Sequence, residues 1–214
     1  MGRLLNFLKQ RSPKLTRWLI LVGLSMVLTI AGANVATAFS IRWDSDDTPM
    51  SASSQMSETS TPEYHMAQAL IQGTAGHPNL SGKILLVETP EGLNLSGRII
   101  NVPPGYHGFH IHTGNSCADN GMAAGGHFNP NQVEHGRLLQ DGFQHAHAGD
   151  LGNLSVDPNG VAVLDQTFPG LMLQDSAYSV AGRTVILHEK QDDLSQPNGN
   201  AGARIGCGVI NRLH

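Results

Sequence analysis

Residues 108–113 read GFHIHT, which places His110 and His112 two apart in a chain with 11 histidines and two cysteines. On a strand alternate side chains face the same way, so both imidazoles can be aimed at one metal ion while Phe109 and Ile111 point to the opposite face, toward a core. His107 has the other parity and is a poor third ligand from the same strand. The pair alone reads equally well as two ordinary surface histidines, because a metal site needs more donors than one pair. More donors follow. His127, His135, His147 and Asp150 come next, and His188 ends a later apolar run; six histidines and one aspartate are enough for two sites. Imidazole suits zinc and copper, while a carboxylate adds charge and favours a four-coordinate zinc.

The elements that must hold these residues read as short strands between turn signals. Lys83–Glu88 and Gly97–Val102 flank a turn region, TPEGLNL; an Asp-Pro-Asn-Gly turn precedes Val161–Asp165; AGRTVILH ends in a strand that carries His188. No stretch beyond the first forty residues sustains a helical period. Many short strands with Gly, Pro and Asn turns predict an all-β antiparallel sandwich or barrel. Two stretches break the pattern. Residues 114–157, rich in Gly, Asn, His and Asp, and residues 189–204 read as long irregular segments, which in a compact domain are usually functional or disordered.

Composition bounds the rest. The 214 residues suffice for one good core, and 25 glycines with 14% charged residues favour strands and tight turns. Residues 1–38 hold five basic residues and no acidic one, leaving 8 basic and 17 acidic residues and a net of −9 in the remainder. So acidic a body argues against nucleic-acid binding. Two cysteines exclude a four-cysteine zinc site. HEKQD (188–192) lacks the second histidine of HExxH, and no GxSxG or P-loop is present.

The N-terminus reads as an address. A basic start, the apolar run 18–33 and ATA at 36–38 have the order of an export signal cut after Ala38. The competing reading is an uncleaved anchor, because no charge occurs from Trp18 to Ile41, long enough to span a bilayer. Either way the folded part is expected outside the cytoplasm, in the periplasm or secreted, and tethered if the leader stays. The polar, Ser/Thr-rich residues up to 66 read as a linker (39–66), and 67–214 as the globular domain.

GFHIH, AGGHFNP, EHG, HAGDLGN, GRTVILHEKQDDL and GNAGARIGCGVI together resemble the copper/zinc superoxide dismutases in order and nearly in spacing, over most of 67–214. The short step from His112 to Cys117 resembles the bacterial branch. The resemblance implies a Greek-key antiparallel barrel of about eight strands with long metal-binding and active-site loops. It implies one copper per chain on His110, His112, His127 and His188, and one zinc on His127, His135, His147 and Asp150, with His127 bridging the two. HAGD favours His147 over its neighbour His145, which then reads as a solvent-facing loop residue. Asp192 matches a carboxylate that links a copper-side histidine to a zinc-side one, and such partners fix ring orientation and tautomer; Asp193 reads as part of a solvated acidic turn. Arg204 matches an arginine beside the copper, where fixed donors and permanent charge suit a small anion. Cys117 and Cys207 match the family's intrasubunit disulfide.

The activity so implied converts superoxide to dioxygen and hydrogen peroxide by one-electron cycling of copper, with His127 as proton carrier. A homodimer is compatible with the resemblance. A departure concerns steering of the anion: residues 189–204 hold Lys190 as their one lysine and a formal charge of −1, so attraction is expected to be local and modest. The rival function on the same fold is a non-catalytic extracytoplasmic copper/zinc-binding protein. The presence of all four copper-side histidines and of Arg204 speaks against it.

Overall fold

The computed structural model describes residues 65–213; the leader and nearly all of the linker, residues 1–64, lie outside the described residues. Eight strands follow one another: β1 Met66–Gly73, β2 Ser81–Thr89, β3 Gly92–Ile100, β4 Gly105–His112, β5 Asp150–Val156, β6 Ala162–Phe168, β7 Thr184–His188 and β8 Arg204–Leu213. They close into an antiparallel barrel in the order β1-β2-β3-β6-β5-β4-β7-β8. The step from β3 past β4 and β5 to β6 makes the connection a Greek key rather than a meander. Closure leaves no free sheet edge except where β5 and β6 meet, joined by the single pair Val156↔Ala162.

Period-two burial builds the core. Ala67, Ala69 and Ile71 of β1, Ile84 and Leu86 of β2, and Leu93, Leu95 and Ile99 of β3 are all at most 1% exposed and pack inside with Phe168, Val185 and Leu187. β3 begins earlier than the sequence reading has it. Leu93 and Leu95 alternate inward, so the turn contracts to Pro90–Glu91 and Gly92 takes the positive φ of 136° that it needs. β1 and β5 lie outside the strand runs that the sequence marks. β5 sits inside the Gly-, Asn- and His-rich stretch, where Asp150 and Gly152 occupy positions that alternation would give to apolar residues.

β4 and β7 differ from the other strands. Residues 107–112 and all of Thr184–His188 are buried, so both faces are covered. One face belongs to the core through Phe109, Ile111, Val185 and Leu187. The other lies under the two long loops, 113–149 and 189–203, where Ala124, Ile186 and the Cys117–Cys207 pair form a small second cluster. That disulfide is formed and joins the first loop to β8 across 90 residues.

Candidate metal centre

The covered face of β4 presents His110 and His112 side by side, 0% and 1% exposed, as the strand parity predicts. His188 arrives from the end of β7, where the ladder with β8 slips before pairing His188 with Arg204. His127 comes from the first loop, laid along the continuation of β4: Thr113 N donates to Gly126 O at 2.9 Å and Phe128 N to Ile111 O at 2.8 Å. Gly149 allows the return pass to come as close. Its N–H donates to Phe128 O and its carbonyl accepts from Ile111 N–H, and a Cβ there would sit 2.1 Å from Ile111 O.

These approaches create two four-residue groups of convergent donors, His110, His112, His127 and His188, and His127, His135, His147 and Asp150, with a three-residue set, His110, His135 and Asp192, beside them. Within each, one ligand atom per residue lies within 4.8 Å of the others. His127 belongs to both four-residue groups. Its Nδ1 faces the second group, 2.8 Å from Asp150 Oδ1 and 3.4 Å from His147 Nδ1, which leaves Nε2 for the first. His110 and His135 are joined behind the groups by Asp192, whose Oδ2 lies 2.9 Å from His110 Nε2 and 3.0 Å from His135 Nε2.

The donor chemistry fits metal ions. His112 commits its Nδ1–H to Gly125 O at 2.9 Å and His188 its Nδ1–H to Gly202 O at 3.3 Å, so both Nε2 atoms are bare, yet they face each other at 3.4 Å. Two lone pairs at that distance repel unless a cation lies between them. Nitrogen ligands about 2.0–2.1 Å from a tetrahedral ion stand about 3.3 Å apart, close to the spacing found in both groups. His110 Nδ1 is buried with no hydrogen-bond partner. His135 Nδ1 lies 2.9 Å from Asp150 Oδ2 but outside hydrogen-bond geometry, as two ligands of one ion would.

The electrostatics agree. Burial holds the His112 imidazole down at about 2 and that of His188 at about 3, with neighbouring histidines and Arg204 adding to the effect. Burial also lowers His127, to about 4, against the opposing Asp150 carboxylate. All three are therefore neutral, as metal ligation needs, at neutral pH. For Asp150 burial would raise the carboxyl, but contacts with His127, His135 and His147 and the Gly136 N–H hold it far below the ordinary carboxylate range. Asp192 behaves likewise through His110, His135 and the Leu194 N–H. His135, buried but between these two carboxylates, is pushed up to about 9.

A cleft of about 640 Å3 opens over the first group, lined among others by His112, His127, His188, Met122, Glu134 and Arg204. The Arg204 guanidinium is fixed there, donating Nη1–H to Gly121 O and Nη2–H to Gly125 O at 2.6 Å. Gly125 O thus accepts from both Arg204 and His112, tying the arginine to the first donor group. The disulfide closes the base of the same loop.

His145 is exposed and joins neither group among the described residues, and Asp193 is exposed in its turn. His107, set aside on parity, is buried in a backbone role: its Nδ1 contacts His188 O at 2.9 Å and its Nε2 contacts Pro103 O at 2.8 Å. Sequence reasoning missed the carbonyls of Gly121 and Gly125, because a carbonyl's direction leaves no mark in residue type. It also missed Glu134 as a lining residue of the cleft.

Comparison with known proteins places this geometry. Residues 80–210 match the family described as copper/zinc superoxide dismutase (SODC). The chain is 37% identical over 147 residues to "Superoxide dismutase [Cu-Zn] 3" of Arabidopsis thaliana, covering 64% of this chain and 85% of that protein. It is 36% identical over 143 residues to "Superoxide dismutase [Cu-Zn] 2" of Mesembryanthemum crystallinum, covering 63% and 89%. With the "Extracellular superoxide dismutase [Cu-Zn]" of Caenorhabditis elegans the identity is 37% over 142 residues, covering 61% of each chain. A solved structure, that of the clock protein EA4, superposes with a TM-score of 0.62 at 33% identity, over 69% of this chain and 94% of that one. With the eight-stranded barrel and its two donor groups, the match over 80–210 shows that the chain belongs to the copper/zinc superoxide dismutase family.

Proposed function

We propose that the protein dismutates superoxide to dioxygen and hydrogen peroxide, holding copper on His110, His112, His127 and His188 and zinc on His127, His135, His147 and Asp150. The observation that carries this reading is the His127 ring shared by both donor groups, with Nδ1 turned to the carboxylate-containing one. The all-imidazole group suits copper and the group with a carboxylate suits zinc. Copper supplies the one-electron exchange that two successive superoxide anions require, which zinc cannot.

The chain's own residues supply the rest. Arg204 lines the cleft and offers an anion permanent charge, with no reorganisation because two carbonyls hold the guanidinium. His127 would carry a proton to the product peroxide on Nε2 when that atom is not engaged by copper, and the hold on Nδ1 would keep the ring in place. Two superoxide anions and two protons yield one dioxygen and one hydrogen peroxide. Asp192 keeps Nδ1 of both His110 and His135 free for ligation by engaging each Nε2.

The domain is proposed to work outside the cytoplasm. The basic–apolar–small order of residues 1–38 supports this, as does the likeness to a relative named extracellular. N-terminal sequencing that begins at Phe39 would establish cleavage, and an intact leader would establish a tether. Superoxide consumption by protein loaded with one copper and one zinc tests the function. Catalysis abolished by His127→Ala is the expected result; a protein that takes only zinc and is inactive would instead be a metal-binding relative without turnover.

A further inference from the structure

We infer that Asn153 is a positioning residue of the metal centre: its side-chain amide grips the backbone of Asp192, and so sets the carboxylate that joins His110 to His135. The inference rests on the metal-centre reading above. Asn153 Nδ2 donates to Asp192 O at 2.9 Å, and Asp192 N donates back to Asn153 Oδ1 at 2.8 Å. The amide thus imitates one rung of a β-ladder with a residue that lies in a loop. Among the described residues Asp192's main-chain N–H and C=O make no other hydrogen bond.

The site of this grip has a structural reason. Asn153 lies on β5 opposite Gly108 of β4, where the β4–β5 register slips before His110. The second long loop crosses at that slip, with Gly108 N donating to Lys190 O at 2.8 Å. A Cβ on Gly108 would lie 2.8 Å from the Ala201 Cβ, so the loop sits directly on the strand. Asn153 is the side chain that meets the loop two residues later, at Asp192.

The Asp192 carboxylate has little freedom once its backbone is held. Oδ2 lies 2.9 Å from His110 Nε2, both oxygens lie 3.0 Å from His135 Nε2, and Oδ1 accepts from Leu194 N at 2.9 Å. Gly199, at φ 72°, closes the other side, since a Cβ there would come 1.9 Å from Asp192 Oδ1. Asn153 itself is in neither donor group. It acts through Asp192 alone, and one side chain thereby bears on a copper-side and a zinc-side histidine together.

The test uses the full chain loaded with copper and zinc. Zinc loss to a chelator and the Cu(II) electron paramagnetic resonance spectrum are recorded for wild type, Asn153→Ala, Asn153→Asp, Asp192→Asn and the Asn153→Ala/Asp192→Asn double variant. Asn153→Asp keeps the side chain's size and its acceptor for the Asp192 N–H but sets an oxygen against the Asp192 carbonyl. Partners behind metal ligands are typically worth 10–100-fold in metal affinity. Zinc loss should therefore quicken about tenfold or more in both Asn153 variants, and their copper spectra should move in the direction of Asp192→Asn. The double variant should go no further than Asp192→Asn. Leu154→Ala, a buried neighbour on the same strand, should lower stability without moving the spectrum. Zinc loss within twofold of wild type with an unmoved spectrum, additive effects in the double variant, or an equal loss in Leu154→Ala would each overturn the inference. Wild type that fails to take up both metals would refute the metal-centre reading instead.

Discussion

Acid should unfold the metal-free protein far more readily than its carboxylates alone would allow. His112, His127 and His188 are held at about 2, 4 and 3 by burial, against an ordinary value of 6.5. A base whose folded value is depressed contributes stability that is present above its unfolded value and is lost as pH falls below it, because the unfolded chain then binds the proton that the folded one refuses. Between about pH 6 and pH 4.5 the unfolded state thus binds two to three more protons at these rings than the folded state, a slope of about 3–4 kcal/mol per pH unit. Over two units that rivals the 5–15 kcal/mol by which domains are usually stable. Asp150 and Asp192, both depressed, act in the same direction but only at lower pH. His135, raised to about 9, acts oppositely: its contribution is full below 6.5 and is lost as pH rises through 9. The assay is urea unfolding of metal-free protein followed by far-ultraviolet circular dichroism at several pH values, because both tryptophans, Trp18 and Trp43, precede the barrel. The midpoint should fall steeply from pH 6.5 to 4.5. A flat midpoint over that range, or uptake of fewer than one proton on unfolding, would refute the reasoning.

Three further outcomes are expected. Arg204→Gln should lower kcat/KM for superoxide about tenfold, and Arg204→Lys should recover only part of it, because lysine lacks the fork that spans Gly121 O and Gly125 O; equal rates for Lys and Arg would contradict this. Glu134 places a negative charge on the wall of the anion's cleft, so Glu134→Gln should raise the low-salt rate about twofold, as unit charges about 10 Å apart in water interact by about 0.4 kcal/mol. The gain should vanish at high salt, where screening shortens to a few ångströms. Replacing both Cys117 and Cys207 by serine should cost up to about 4–5 kcal/mol in urea unfolding, the loop-entropy value for a 90-residue closure. An unchanged midpoint would mean that the loop is held by its other contacts.

The parts of the site legible in the sequence are those where spacing alone sets direction. Strand parity put His110 and His112 on one face and Phe109 and Ile111 in the core, and the structure agrees. His107, which the same parity sets apart from the pair, lies outside both donor groups among the described residues, and its contact with His188 O depends on a strand 81 residues away. β5 leaves little trace in the sequence because Asp150, which joins the second donor group, and Gly152 take two of its inward positions, and neither is a strand former. The turn after β2 is shorter than its composition suggests, because Leu93 and Leu95 lie in a run whose Gly, Asn and Pro mimic a loop. Hardest to foresee are the backbone partners, Gly121 O, Gly125 O and Gly202 O, since any residue type carries a carbonyl and tertiary packing alone aims it.

The His127 ring is expected to serve two different ions. Anomalous scattering from crystals of the metal-loaded protein, collected at the copper and the zinc absorption edges, tests this directly. The result predicted is one copper peak among His110, His112, His127 and His188 and one zinc peak among His127, His135, His147 and Asp150, with the His127 imidazole between them. A single peak, or zinc alone in both positions with copper supplied, would contradict it.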